Sequence, residues 1–245
     1  MKIVIKIILL IGVLGYLVFA ITTMSQGKDE RICTGTRIII EDSTMENYID
    51  CRFIENIIAK SQCPINNMPI NDIDANSIED HIKASPYIDS VICYYTPENL
   101  MCIRVFTRIP VLHVMADSGD SYYMDIRGNV MPTDEFLMDI CLATGNITRQ
   151  YAQEHLIGIA DYMNTHSTWK KEVQQVYVRS EKQIELIPSA GEHIIILGEP
   201  KDIKDKMDRL TIFYKEGLDK AGWNKYSTID LNYAGQVVCT KRNKK

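Results

Sequence analysis

The chain carries none of the short patterns that most often mark catalytic chemistry. It has no G-x-S-x-G to raise a serine on a strained elbow and no G-x-x-x-x-G-K-[ST] to cradle phosphates. It also lacks a G-x-G-x-x-G for a dinucleotide and an H-E-x-x-H for zinc. Its histidines, His81, His113, His155, His166 and His193, are scattered, and carboxylate neighbours such as Glu41/Asp42 and Asp134/Glu135 fall at element ends, where solvated charge is ordinary. None of the seven cysteines stands in a C-x-x-C pair or near a histidine at zinc-finger spacing, so the pattern offers no structural metal site. Their odd number argues against a complete disulfide framework. No basic stripe is present either: the only cluster is Lys241 to Lys245, a solvated tail, so nucleic-acid binding is not expected. These absences point to a non-enzymatic protein without cofactor or metal.

What is present begins with an apolar run. From Ile7 to Gly27 no residue is charged, close to the length of helix that crosses a bilayer's hydrocarbon core. Lys2 and Lys6 precede it and Asp29 and Glu30 follow, so the positive-inside bias keeps residues 1–6 cytoplasmic and exports the rest. Ile7, Leu10, Leu14, Leu17 and Phe19 are the expected anchor residues. A cleaved signal peptide is the competing reading, with Val18-Phe19-Ala20 as its site. The length of the run, Ile21 directly after that site, and Tyr16 and Phe19 toward the outer interface favour a retained anchor. Without Lys2 and Lys6 the 27 basic residues fall to 25 against 32 acidic ones, a formal charge of −7. The exported part, about 215 residues, suffices for one large or two small domains.

After a polar tether over 28–36, the isoleucine run Arg37 to Glu41 reads as a strand, and Met45 to Ala59 as an amphipathic helix. Asn76 or Ser77 caps a second helix that Pro86 ends. Ile88 to Tyr95 and Leu100 to Arg108 make a hairpin turning at Pro97-Glu98, which sets Cys93 opposite Cys102. Ile92, Tyr94, Met101, Ile103 and Val105 then share the buried face. Two free thiols are favoured over a Cys93–Cys102 bridge. With two more short strands, Val111 to Met115 and Tyr122 to Asp125, this forms an α+β module over 37–131.

Pro132 to Glu135 is the expected seam, and a second, mixed α/β module follows over 132–240. It has a strand at Ile140 to Thr144 and a helix capped by Asn146 or Thr148. Next come the hairpin Val173–Val178 with Gln183–Ile187, a strand from His193 to Leu197, and a helix opened by Pro200 and ended by Gly222. The last elements are Thr228 to Tyr233, a turn at Ala234-Gly235, and the run Gln236 to Thr240. That terminal run is the best candidate for an exposed edge on which an incoming segment can complete the ladder, with the basic tail 241–245 beyond it.

Several segments in this order resemble the FtsQ/DivIB family of bacterial cell-division proteins. Arg108-Ile109-Pro110-Val111 is similar to that family's R-x-P-V entry to a strand, with Thr107 where Glu is frequent. Asp125 with Gly128 resembles its D-x-x-G hairpin, and Pro86-Tyr87-Ile88 its step into the POTRA strand pair. Gly191-x-His193, Leu197-Gly198, Phe213-Tyr214, Gly222-Trp223-Asn224-Lys225-Tyr226, Ile229-Asp230-Leu231, Tyr233 and Gln236-Val237-Val238 resemble the form found in Bacteroidetes-type bacteria. The resemblance implies a single transmembrane helix, a POTRA-like domain and a distal β domain ending in an edge strand, in the inner membrane at the division septum. It further implies a scaffold that recruits FtsB/DivIC-type and FtsL-type partners and, indirectly, the septal peptidoglycan synthase. The FtsB/DivIC-type segment would add as a strand at Tyr233, Gly235, Gln236, Val237 and Val238. Asn232 stands where the family frequently has arginine. The alternative is a POTRA-type binding module of an export or envelope-assembly system, which the absence of alternating barrel strands disfavours.

Overall fold

The computed structural model describes residues 10–20, 31–45, 47–61 and 63–242. Among them no helix is long and apolar enough to cross a membrane. Residues 10–20 are helical, and Leu10, Leu14, Leu17 and Phe19 are all more than half exposed. Ile7 and the rest of the expected span lie outside the described residues.

The chain divides into two compact units, the first ending at Phe106 and the second beginning at Thr107. In the first, the isoleucine-rich β1 (Gly35–Ile40) runs parallel to β3 (Leu100–Thr107), from Gly35 opposite Leu100 to Ile40 opposite Val105. The three-stranded order is β1-β3-β2, with β2 at Ile88–Tyr95. Helix α1 (Cys51–Lys60) starts later than its apolar spacing suggests. The Asp50 carboxylate accepts from Phe53 N at 2.9 Å and fixes the start, while Ser43–Met45 forms a separate 3-10 turn. Helix α2 (Ala75–Lys83) is capped by Asp74, which accepts from Ser77 N at 3.1 Å, not by Asn76 or Ser77. Ile54, Ile78 and Ile82 are buried with Ile88, Val91, Met101, Ile103 and Val105.

The β2–β3 hairpin corrects the expected register by one residue. Asn99 adopts a left-handed conformation (φ +63°), Asn99 N donates to Thr96 O, and Thr96 N donates to Leu100 O. Thr96, not Tyr95, therefore stands opposite Leu100, because the left-handed residue adds one position to the turn. A one-residue slip inverts every side chain. Val91, Cys93 and Tyr95 thus share the face of Met101, Ile103 and Val105, while Ile92 and Tyr94 are turned outward, 49% and 42% exposed. Cys93 and Cys102 stand on opposite faces, so the expected opposition of the two thiols does not hold. Both are free, and burial pushes the Cys93 thiol up to about 12.

The second unit is a nine-stranded sheet in the order β12-β11-β10-β9-β8-β7-β4-β5-β6. Its strands are β4 (Pro110–Ala116), β5 (Ser121–Asp125), β6 (Val130–Met131), β7 (Leu142–Gly145), β8 (Val173–Val178), β9 (Ile184–Pro188), β10 (Ile194–Gly198), β11 (Tyr226–Asp230) and β12 (Val238–Lys241). This overturns the expected seam at 131/132. Strand β4 pairs in parallel with β7, Val114 opposite Ala143, and Leu112, Val114, Tyr122 and Met124 enter the second unit's core. The alternation of those residues says that one face is buried but does not say in which sheet.

Helix α3 runs from Arg149–Tyr151 through a π-turn, Ala152–Leu156, into Ile157–Thr165, with Thr148 as its cap. Helix α4 (Ser167–Glu172) leads into β8. Helix α5 begins at Ile203, after Asp202, and continues from Phe213 through a π-turn, Tyr214–Leu218, to Asp219–Ala221. Gly222 follows with φ +94°, a backbone conformation that side-chain-bearing residues rarely adopt. Leu156, Ile159, Met207, Leu210 and Leu218, each at most 1% exposed, share one core with Val176, Leu186, Ile195 and Ile229.

Candidate functional site: the β12 edge

Strand β12 is outermost and pairs antiparallel with β11 alone: Val238 opposite Asp230, Cys239 opposite Ile229, Thr240 opposite Thr228. On the other side of β11, Leu231 N donates to Ile196 O at 2.9 Å. Odd-numbered residues of β11 therefore turn their backbone toward β10, and even-numbered ones toward β12. Val238 and Thr240, facing Asp230 and Thr228, spend their backbone groups inward. Cys239 between them presents its N–H and C=O to the open side.

The expected strand over 236–240 begins two residues later than its apolar pattern indicates. Tyr233, Gly235 (φ +68°), Gln236 and Val237 form the turn that delivers the strand, and only Val238 lies within it. Tyr233 is 55% and Val238 42% exposed, whereas Val237 and Cys239 lean on the core. Beyond the strand, Arg242 is fastened rather than free: Nη1 pairs with Glu192 Oε2 at 2.8 Å and Nη2 donates to Glu192 O at 2.7 Å. Residues 243–245 of the basic tail lie outside the described residues.

The turn is tied down from two sides. Asp230 Oδ1 accepts from Asn232 N at 2.8 Å and from Asn232 Nδ2 at 2.9 Å. The Asn232 carboxamide lies against Gly198 (φ +75°), where a Cβ would overlap it. From α5, Arg209 Nη1 donates to Tyr233 O at 2.9 Å and to Gln236 O, and Nη2 donates to Leu231 O at 3.3 Å. Sequence reading missed Arg209. Its only local sign is Asp205 four residues earlier, which accepts from Nε at 2.9 Å.

The residues next to this edge that carried the family resemblance are structural. His193 is buried (2% exposed), and its Nε2 lies 2.7 Å from Tyr214 Oη. Tyr214 packs between Trp169 and Trp223, with both ring pairs at 5.2 Å. Burial lowers the His193 pKa from its ordinary 6.5, the Arg242 charge adds to this, and the Trp223 carbonyl opposes it. Glu172 is the other charged group near Tyr214. A histidine depressed in the folded state binds its proton first in the unfolded chain. Stability of this unit is therefore expected to hold above pH 6.5 and to fall as pH drops below it. Urea midpoints read from the intrinsic fluorescence of Trp169 and Trp223 should show that slope flattened in His193→Gln.

Two family models match the chain: "FtsQ/DivIB, C-terminal related" over residues 109–240 and "POTRA-like domain" over 31–106. Comparison with curated proteins gives no match. The two matched segments meet where the two compact units divide.

Proposed function

Because this chain belongs to the FtsQ/DivIB family, matched over more than half its length, we propose that it binds an FtsB/DivIC-type partner by strand addition at β12. Its two families are non-catalytic, and at family level it is a division-type scaffold with a POTRA-like domain and a mixed α/β domain. In this reading residues 7–27 hold it in the inner membrane, with the amino end cytoplasmic and both folded units on the far side. The guest segment lies along Val238 to Lys241, with Tyr233, Gly235, Gln236 and Val237 at its entry. An FtsL-type protein accompanies the FtsB/DivIC-type one, and the septal peptidoglycan synthase is reached through them.

The observation that carries this reading is the one-sided pairing of β12, with Tyr233 and Val238 exposed beside it. A row of backbone donors and acceptors open to water is a template for another chain, and a guest strand gains its ladder bonds there without displacing a native strand. The test is co-purification of the full chain with the FtsB/DivIC-type protein of the same organism, together with imaging of a fluorescent fusion. A midcell ring and stable co-purification are expected. An even envelope signal without capture would remove the reading.

A further inference from the structure

We propose that Arg209 is a positioning residue that holds the 231–237 turn, and through it β12, in its strand-accepting geometry before any partner arrives. This rests on the strand-addition reading above. The carbonyls of Leu231, Tyr233 and Gln236 all converge on one guanidinium that comes from a helix more than twenty residues earlier. Within the turn itself one backbone hydrogen bond closes the loop, Gln236 N to Tyr233 O at 3.2 Å. Its conformation is therefore set by side chains. Asn232 pins the start against Gly198, and Arg209 gathers the carbonyls of Leu231, Tyr233 and Gln236 along its length. The arginine is itself held in place, since its side chain is 15% exposed and Asp205 takes Nε, which fixes the plane of the fork.

A planar fork with five donors can serve three carbonyls at once, which an ammonium on a flexible stem does less well. The consequence is pre-organisation. An edge strand whose entry turn is already ordered spends less conformational entropy when a guest strand binds, and the gain appears mainly as slower dissociation.

Arg209→Met keeps the aliphatic stem and removes the donors. In the full chain without partner, hydrogen exchange at the hydrogen-bonded amides of the turn, Asn232, Gln236 and Val238, should speed up by about 10-fold. Dissociation of the FtsB/DivIC-type protein of the same organism, read by surface-immobilised kinetics, should also rise by about 10-fold. Unfolding reported by Trp169 and Trp223 should remain a single cooperative transition, so that exchange and dissociation are read on a folded unit. Arg209→Lys, which keeps the charge and loses the fork, should fall between the two and serves as the reference if the methionine variant fails to fold. Unchanged exchange in the turn would overturn the clamp. Faster exchange with unchanged dissociation would overturn the positioning role. If the unsubstituted chain binds no partner at all, the strand-addition reading fails and takes the positioning role with it, while the exchange result still tells whether Arg209 orders the turn.

Discussion

Replacing Cys239 by proline is expected to abolish capture of the strand-donating partner while leaving the second unit folded. Between Val238 and Thr240, Cys239 is the residue whose N–H faces the open side, because those two neighbours spend theirs on Asp230 and Thr228. Proline removes that donor and puts a ring where the guest backbone would approach. An edge strand tolerates proline where the N–H points to solvent, so the domestic ladder to β11 should survive. One hydrogen bond is worth about 0.5–1.5 kcal/mol, and with the steric block the loss of affinity should be on the order of 100-fold. Cys239→Ala is the matched control, since it keeps the backbone donor and trims only a half-buried thiol. Binding retained in the proline variant, with the Trp169 and Trp223 unfolding transition intact, would show that the guest does not use this edge.

The largest stability effect is expected at Asp125. The residue is 4% exposed, and its carboxylate serves four donors: Arg127 N and Asn129 N at 2.8 Å each, Asn129 Nδ2 at 2.8 Å, and Arg108 Nη1 at 3.3 Å. The bend at Gly128 (φ +82°) is therefore built around one side chain. Asp125→Ala leaves two backbone donors and a guanidinium, itself 20% exposed, without that acceptor. Stranding a buried donor costs about 1–3 kcal/mol, more where a charge is involved, so the variant should lose about 3–5 kcal/mol. Asp125→Asn keeps an acceptor for the amides and forfeits the ion pair, with an expected loss of about 1–2 kcal/mol. The chain's two tryptophans, Trp169 and Trp223, both lie in the second unit, so urea unfolding followed by their fluorescence reports on this unit alone.

Legibility in the sequence followed the range of the interaction. Thr148 as a cap, Gly222 past a helix end and the hairpin of β8 with β9 depend on residues a few positions apart, and each stands where local pattern indicates. Helix α1 was displaced because a carboxylate at Asp50 outranks apolar spacing in deciding where a helix starts. The hairpin register turned on Asn99, a non-glycine residue in a left-handed conformation, and one added position moved Ile92 and Tyr94 from the buried face to the exposed one. For the candidate site, the terminal run was recognisable as an edge, but Arg209 was not, since nothing near it in sequence shows that its donors face carbonyls of residues 231, 233 and 236.

By itself the sequence determined the kinds of elements, their order, the absence of catalytic motifs and the family, because these depend on composition, periodicity and short motifs within a few residues. Tertiary structure alone decided that β4, β5 and β6 join the second sheet, that Cys93 and Cys102 turn apart, and that an arginine on α5 holds the turn before β12. The reason is that an alternating strand carries the same face pattern whichever neighbour it pairs with. Only the distant chain that supplies the neighbour, or the carbonyls, fixes the outcome.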